Sequence, residues 1–154
     1  MQPKEGPVDD PRGRLTKDGI RIHEPGDFAG MLAAGQLAAR ILDEVGALVE
    51  PGVATEALDT FIEDRVNAAG AKSATIGYRG YQHASCISVN HVVCHGIPGP
   101  KVLKDGDILN IDVTVILDGW YGDTSRMYVA GTLPRKAERL IQVTHDALML
   151  GIEA

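Results

Sequence analysis

The 154-residue chain is 44% hydrophobic and 23% charged, the composition of a globular protein long enough to fold as one domain around a core. Its formal net charge of -6 argues against a nucleic-acid-binding protein, because such proteins need a basic face. No apolar run approaches the roughly 18 residues that a membrane-spanning helix requires, so no membrane association is expected.

The first 19 residues are polar and differ in composition from the rest of the chain. They lack the apolar stretch of a signal peptide, which favours a cytoplasmic protein. We therefore expect residues 1–19 to form a flexible tail and residues 20–154 to form the folded unit.

Two amphipathic helices are predicted in the first half of the folded unit. The first begins at Asp27, a residue typical of helix N-caps, and ends before the Pro-Gly pair at 51–52. The second is predicted to be capped by Thr55 and closed by Gly70. Apolar residues recur at helical spacing in both, namely Phe28, Met31, Leu32, Ile41, Leu42, Val45 and Leu48 in the first and Leu58, Phe61, Ile62 and Val66 in the second.

The chain after Lys72 is rich in Gly, Tyr, Val and Ile with repeated turn dipeptides, a pattern typical of strands and hairpins. A short strand is also predicted at residues 20–23, and a third helix opens at Pro134. The third helix has an apolar face that needs a partner, formed by Leu140, Ile141, Leu148 and Leu150. Helices packed on an antiparallel sheet make the predicted fold class α+β.

Two aspartates interrupt the predicted hairpin NIDVTVILDGWYGDTSRMYVAG, in which an unpaired buried carboxylate would be costly. A two-residue turn at 118–119 places Asp123 opposite Thr114, and Asp112 lies two residues from Thr114 on the same face. The two carboxylates are then diagonal neighbours, with Cβ atoms about 7 Å apart. Oxygen ligands at this spacing can share one or two divalent cations. In the alternative interpretation, Asp123 caps the turn and Asp112 faces solvent.

The two cysteines offer other chemistry, either a disulfide or a zinc site. Cys86 and Cys94 could pair with each other, although a cytoplasmic chain of this size does not need a disulfide. Together with His91 and His95 they could ligate zinc, but their spacing fits none of the common zinc-binding templates.

Three segments resemble type I methionine aminopeptidases: MLAAGQLAARILDEV, NHVVCHGIPG and LKDGDILNIDVTVILDGWYGDTSRMYVAG. The resemblance runs from about residue 20 to the end of the chain. It implies the N-terminal half of a pita-bread fold, with helices packed on a curved antiparallel sheet. In that fold, two pseudo-symmetric halves place a dinuclear metal site between them.

The resemblance assigns the metal site and the catalytic histidine. Asp112 and Asp123 match the family's first two metal ligands, and His95 of the CHGIP motif matches a histidine that contacts the substrate near the scissile amide. The implied cofactors are two divalent ions per complete site, which could be Co, Mn, Fe or Zn because carboxylate and imidazole ligands suit all four. Taken without the motif, His95 is more simply a turn histidine bonded to backbone.

The resemblance also assigns substrate and cation contacts. Asn90 and Val92 match positions whose carbonyl groups hold a monovalent cation in some relatives, and Thr75 stands where some members have cysteine. A methionine pocket is implied for Tyr78, Tyr81 and Cys86, and His95 is the fourth implied substrate-binding residue. The tyrosine rings suit a thioether because sulfur contacts ring edges favourably, although both could equally belong to the core.

The implied function is removal of the N-terminal methionine from nascent proteins, by hydrolysis with a metal-activated water. The implied partners are nascent polypeptide N-termini near the ribosome. Two alternatives stay open. One is a non-catalytic pita-bread binding module, which the retained Asp112 and Asp123 argue against; the other is an X-Pro aminopeptidase, which the CHGIP motif and the tyrosines disfavour.

The chain departs from the family at its C-terminus. The family's other ligands, a histidine and two glutamates, and its second catalytic histidine come from a half that this chain lacks. Two carboxylates alone are too few donors for a di-metal site. We therefore expect an incomplete enzyme, a fragment or the product of a split gene, whose exposed half-domain edge leads to self-association.

Overall fold

The computed structural model describes residues 12–154, which form three helices and six strands. The strands are β1 (Arg14–Leu15), β2 (Arg21–Ile22), β3 (Lys72–Ser73), β4 (Ser85–Val89), β5 (Asp107–Leu117) and β6 (Trp120–Ala130). The helices are α1 (Phe28–Gly46), α2 (Thr55–Ala68) and α3 (Arg135–Glu153), with short 3-10 turns at Pro25–Asp27 and Tyr78–Gly80.

β5 is the central strand of an antiparallel sheet and pairs along its whole length with β6. Its other side pairs first with β4 and then with β3, again antiparallel. α1 packs on β5 and β6, and α2 packs on β3 and β4. The predicted α+β class, with helices packed on an antiparallel sheet, is confirmed.

Alternation along β5 separates the core from the face that carries the aspartates. The inner face is fully buried and consists of Leu109, Ile111, Val113 and Val115. The outer face includes Asp112 and Thr114, which are partly exposed. Burial of each aliphatic side chain contributes about 1.5–3 kcal/mol, and a one-residue slip would turn the aspartates into the core. The inner face therefore fixes the register of the outer one.

α1 and β6 approach each other backbone to backbone at Gly122. A Cβ atom at this position would lie 2.2 Å from the carbonyl oxygen of Ala34, so only glycine fits. Two residues earlier, the Trp120 ring fills the space above Gly30 of the same helix. Asp123, which follows Gly122, therefore projects from a backbone held directly against α1.

The predicted cap of α2 is wrong. Ala54 occupies the N-cap position, and Thr55 is the first helical residue. The Thr55 hydroxyl instead donates to the carbonyl oxygen of Gly99 and accepts from the Gly99 amide, each at 3.0 Å. These two hydrogen bonds connect the start of α2 to the loop that follows the CHGIP motif. Local sequence could not predict this contact.

The apolar pattern of α1 is wider than its buried face. The buried residues begin at Ala34 and continue through Val45. The earlier apolar residues are more than half exposed: Phe28, Met31 and Leu32. Helical spacing alone therefore located the helix but overstated the length of its contact with the sheet.

Ordered structure begins before the predicted boundary at residue 20. Residues 1–11 of the predicted tail lie outside the described residues, whereas β1 pairs with β2 across that boundary. The Arg12 guanidinium donates to the carbonyl oxygens of Asp118 and Gly119 at the tip of the long hairpin. The N-terminal segment from residue 12 onward is thus fastened to the fold.

α3 has an unusual environment, because none of its residues is buried within the described part of the chain. Its exposed large apolar residues are Leu140, Val143, Leu148, Met149, Leu150 and Ile152. An amphipathic helix normally buries such a stripe against a neighbour.

No helix within residues 12–154 has the combination of length and hydrophobicity that a membrane span requires.

Candidate active site

The predicted hairpin register is confirmed. Asp118 and Gly119 form the two-residue turn, with φ of 49° and 78°, as a turn with two left-handed residues requires. Asp123 pairs with Thr114, and Asp112 pairs with Ser125. Side chains alternate along a strand, so both aspartates lie on the outer face of the sheet, away from the core.

The two carboxylates act on each other electrostatically. Burial raises the pKa of Asp112, the charge of Asp123 raises it further, and His95 lowers it in part. The Thr114 hydroxyl donates to Oδ1 of Asp123 at 3.0 Å. One oxygen of Asp123 is thereby held by a neighbouring strand, and Asp112 is a half-buried carboxylate that a cation would stabilise.

Gly96 explains how the CHGIP loop reaches this face. The Ile87 amide donates to the Gly96 carbonyl at 2.8 Å, and the Gly96 amide donates to the Ser88 hydroxyl at 3.0 Å. A Cβ atom on Gly96 would lie 2.3 Å from the carbonyl oxygen of Ile87. His95, with a left-handed φ of 54°, is positioned by this close contact between the loop and β4.

Gly96→Ala should therefore destabilise the protein, because the added methyl group would push the loop off β4. Overpacking of this kind costs about 1–3 kcal/mol in the free energy of unfolding, which urea denaturation measures. Gly35→Ala is the matched control, since a Cβ atom on that glycine meets no atom within 4 Å. Equal stability of the two variants would contradict the packing role of Gly96.

A cavity of about 740 Å³ opens beside the aspartates and brings the predicted site residues together. Its lining includes all six predicted catalytic, metal and pocket residues: Tyr78, Tyr81, Cys86, His95, Asp112 and Asp123. Thr75, Arg79, Thr114 and Tyr121 also line it. The arrangement places two carboxylates at one side of a pocket with aromatic and thiol walls.

Cys86 joins the pocket wall to the aspartate face, because it pairs with Asp112 in the register of β4 and β5. Burial raises the pKa of the Cys86 thiol, partly opposed by a hydrogen bond with Tyr81. Burial likewise raises the pKa of Tyr81, whose hydroxyl donates to the Ser85 carbonyl at 2.8 Å. Both groups are therefore neutral at pH 7 and suit an apolar ligand.

The alternative uses of the cysteines are not found. Cys86 and Cys94 are both free thiols, so they form no disulfide. Across residues 12–154, His, Cys, Asp and Glu side chains form no cluster of three or more that could hold a metal ion. This finding rules out an assembled zinc site formed by the two cysteines with His91 and His95 among those residues.

The absence of a cluster of three ligands within residues 12–154 also applies to the aspartate pair. Asp112 and Asp123 offer oxygen donors of the kind divalent metals accept, on one face and with mutual repulsion that a cation would relieve. They fit part of a metal site, and the described residues supply no third clustered ligand. Further donors would have to come from outside residues 12–154 or from solvent.

The predicted monovalent-cation residues lie away from the cavity lining. Asn90 has a left-handed φ of 56°, and its side chain donates to Asp107 at 2.8 Å. The Asn90 side chain also accepts from the Ile108 amide at 3.1 Å. These bonds give the turn at Asn90 a structural role, and cation binding by Asn90 and Val92 stays a prediction.

Sequence reasoning did not assign three polar or aromatic side chains that line the cavity, Arg79, Thr114 and Tyr121. Tyr121 lies two positions before Asp123 on the same face, so the alternation that placed the aspartates could have found it. Thr114 was used to set the register, but its hydrogen bond to Asp123 needs side-chain coordinates. Arg79 has a left-handed φ of 50° in an irregular loop, and no sequence pattern signals its place at the cavity.

The chain is similar to known metallopeptidases. Residues 29–154 match the family model described as Metallopeptidase family M24. A methionine aminopeptidase from Rickettsia prowazekii is 54% identical over 134 residues, which cover 87% of this chain and 52% of that protein. The methionine aminopeptidase of Escherichia coli K12 is 50% identical over 135 residues, covering 86% of this chain and 51% of that protein.

Solved structures of methionine aminopeptidases also match this chain. The crystal structure of the Rickettsia prowazekii methionine aminopeptidase matches with a TM-score of 0.83, over 84% of this chain and 52% of that one. The Thermotoga maritima methionine aminopeptidase matches with a TM-score of 0.80 at 36% identity, over 84% of this chain and 53% of that one. A Pyrococcus horikoshii prolidase, at 16% identity and a TM-score of 0.74, shares the fold alone. The chain spans about half the length of the methionine aminopeptidases that it matches.

Proposed function

The chain belongs to metallopeptidase family M24, and from this premise we propose that it forms part of an enzyme that removes N-terminal methionine from proteins. The observation that carries the proposal is the pair Asp112 and Asp123 on one face of a hairpin beside a thiol-and-tyrosine pocket. Relatives named methionine aminopeptidase at 50–54% identity support this substrate. The X-Pro alternative has only fold-level support, since the prolidase match is 16% identical.

The aspartates would hold the metal through their carboxylate oxygens. When bound, a divalent metal supplies a nucleophile at neutral pH and polarises the peptide carbonyl. Asp112 is the half-buried donor, and Asp123 is held in place by the Thr114 hydroxyl. The M24 family is one of metallopeptidases; two ions per complete site, drawn from Co, Mn, Fe or Zn, are our proposal.

The pocket would bind the methionine side chain, and His95 would orient the scissile amide. Tyr81 and Cys86 are neutral groups in the wall, and thioethers contact aromatic edges favourably. His95 is within electrostatic range of Asp112, so an amide held by the imidazole would lie close to the carboxylates. The proposed substrates are nascent polypeptide N-termini, which places the reaction in the cytoplasm near the ribosome.

An assay of methionine release tests the proposal. The chain is mixed with a Met-Ala-Ser peptide and Mn²⁺ or Co²⁺, alone and together with the half of the Rickettsia prowazekii relative that it does not cover. We expect turnover well below about 1 per second for the chain alone and a large increase with the second half. Asp112→Ala should abolish the increase, because it removes a proposed metal ligand.

Three outcomes would contradict the proposal in different ways. Turnover by the chain alone above about 1 per second, lost in Asp112→Ala, would show that the chain needs no second half. Cleavage of X-Pro peptides without cleavage of Met-Ala-Ser would favour the prolidase-type function. Absence of both activities in the assembled mixture would favour the non-catalytic binding module.

Thr114→Val should weaken metal binding without unfolding the chain. Valine has the shape of threonine but cannot donate to Asp123, so the carboxylate loses its fixed orientation. Loss of such a supporting bond typically costs about tenfold in metal affinity, which Mn²⁺ titration followed by electron paramagnetic resonance measures.

Two further variants are controls for the Mn²⁺ titration. Thr114→Ser keeps the hydroxyl and should restore the affinity. Thr144→Val on α3, whose hydroxyl donates to the Leu140 carbonyl, should leave the affinity unchanged. Equal Mn²⁺ affinity in Thr114→Val and the parent chain would remove Thr114 from the proposed site.

A further inference from the structure

A buried polar network outside the proposed metal site centres on Asp59 of α2. Its side chain is only 5% exposed, and Ser85 is fully buried beside it. Oδ1 of Asp59 accepts from the Ser85 amide at 2.9 Å and from the Ser85 hydroxyl at 2.6 Å. Oδ2 accepts from Nδ1 of His83 at 3.0 Å. One buried carboxylate thus binds three donors of a segment 24 to 26 residues away along the chain.

This network is not a catalytic triad, although it contains Ser, His and Asp. The Ser85 hydroxyl donates to Asp59 and not to His83, so no base is placed to activate it. Ser85 is also fully buried, which denies it to a substrate. The network therefore has another role.

All three carbonyl groups of the segment that Asp59 holds, residues 83–85, accept hydrogen bonds from side chains that precede it in the chain. The His83 carbonyl accepts from the Thr75 hydroxyl at 2.6 Å. The Ala84 carbonyl accepts from the Ser73 hydroxyl at 3.2 Å. The Ser85 carbonyl accepts from the Tyr81 hydroxyl at 2.8 Å. Two of these donors, Thr75 and Tyr81, line the cavity, as does Cys86, which follows the segment.

Asp59 also fixes where β4 begins. Ser85 is the first residue of β4 and pairs with Val113, and the next pair is Cys86 with Asp112. The loop between β3 and β4 contains three left-handed residues, at Gly77, Arg79 and Gly80. Backbone hydrogen bonds within residues 75–81 fix the middle of the loop. The bonds from His83 and Ser85 to Asp59 fasten its C-terminal end to α2.

We propose that Asp59 is a positioning residue that holds the β3–β4 loop in the shape of a methionine-side-chain pocket and sets Cys86 beside Asp112. Asp59 is not among the residues that line the cavity, and it holds the loop through its hydrogen bonds to Ser85 and His83. Its charge also reaches the cavity, where it contributes to raising the pKa of the Cys86 thiol. The name of the pocket rests on the proposed function, whereas the loop-holding role does not.

The test measures alkylation of Cys86 by iodoacetamide in a Cys94→Ser background, with hydrogen exchange read on the same samples. Asp59→Ala should raise the Cys86 rate at least about tenfold, because it removes three hydrogen bonds to a charged group and also the charge that raises the pKa of the Cys86 thiol. Hydrogen exchange separates the two causes, since only the lost hydrogen bonds loosen the loop. Exchange should rise in residues 73–86 and stay unchanged in β5. Asp64→Ala, an exposed aspartate on the same helix, should leave both readouts unchanged.

Asp59→Asn covers the case in which the alanine variant does not fold. Its amide oxygen can still accept from Ser85, but its NH₂ group cannot accept from His83, so an intermediate alkylation rate is expected. Faster exchange in β5 to the same degree as in residues 73–86 would show a merely global role for Asp59. An unchanged Cys86 rate in Asp59→Asn and Asp59→Ala would also overturn the proposal.

L-Methionine amide separates this inference from the proposed function. If the pocket binds a methionine side chain, the amide should slow Cys86 alkylation in the parent chain and lose that effect in Asp59→Ala. Absence of protection in the parent chain would contradict the methionine pocket while leaving the loop-holding role to the exchange data. Protection that persists in Asp59→Ala would contradict the positioning role.

Discussion

Asp112→Asn should stabilise the metal-free chain at neutral pH and weaken its Mn²⁺ binding by at least about tenfold. The pKa of Asp112 is raised in the folded state by burial and by Asp123. The folded state therefore holds the Asp112 proton more tightly than the unfolded state does, and stability falls as pH rises from the ordinary carboxyl range through the raised pKa. Above that window the ionised carboxylate destabilises the fold, and asparagine removes this cost.

The measurement is thermal unfolding of Asp112→Asn and the parent chain across pH, with and without Mn²⁺. The gain from the substitution should be present at pH 7 and vanish below the ordinary carboxyl range, where Asp112 is protonated in both states. Added Mn²⁺ should stabilise the parent chain more than the variant. Asp118→Asn, at the exposed turn of the same hairpin, is the matched control and should change neither property. A variant less stable than the parent at pH 7 would contradict the electrostatic account.

The chain should self-associate at high concentration through α3, and Leu140→Glu with Leu148→Glu should make it monomeric. Both leucines are 60% exposed, and no residue of α3 is buried in the described structure. Among the described residues, β6 pairs only with β5, which leaves an eleven-residue strand open at its outer edge. Burial of two leucines contributes about 3 kcal/mol or more, so their loss should weaken association by about 100-fold.

Sedimentation velocity over a concentration series measures this association. Gln142→Glu, on the opposite side of α3 at 100° per residue, adds one of the same charges and should leave association unchanged. In a pseudo-symmetric pair formed through the exposed half-domain edge, Asp112 and Asp123 of both copies would approach each other. We therefore expect Mn²⁺ to strengthen such an association by relieving their repulsion. A stable monomer at high concentration, indifferent to metal, would contradict this proposal. Binding of the Rickettsia half in place of a second copy would show that α3 serves a different partner.

The hairpin was predictable because its information is local. A two-residue turn and strict alternation determine which side chains share a face, and both can be identified from residues 110–131 alone. The existence of α1 and α2 was predictable for the same reason, from apolar spacing. The resemblance to a known family then selected the tyrosines, the thiol and His95, which spacing alone could not have grouped.

The shape of the pocket was not predictable from local sequence. Asp59 sits in an amphipathic helix, where an aspartate normally indicates a solvent-facing position. Its three donors lie at His83 and Ser85, more than twenty residues away, and only the packing of α2 on β4 brings them together. The predicted N-cap of α2 was wrong for the same reason. The Thr55 hydroxyl is hydrogen-bonded to Gly99, a residue distant in sequence.

The two-residue turn at 118–119 makes the aspartate pair tolerant of some changes in chain length and intolerant of others. Residues added at the turn itself lengthen the loop but leave the pairing of Leu117 with Trp120 intact, so Asp123 still faces Thr114. A single residue inserted between Trp120 and Asp123 would instead turn the aspartate toward the core, unless a bulge absorbed it. We therefore expect related chains to vary in the number of residues between the two aspartates by insertion at this tip. The number of residues from each aspartate to the turn should stay fixed, whereas the length of the turn can differ.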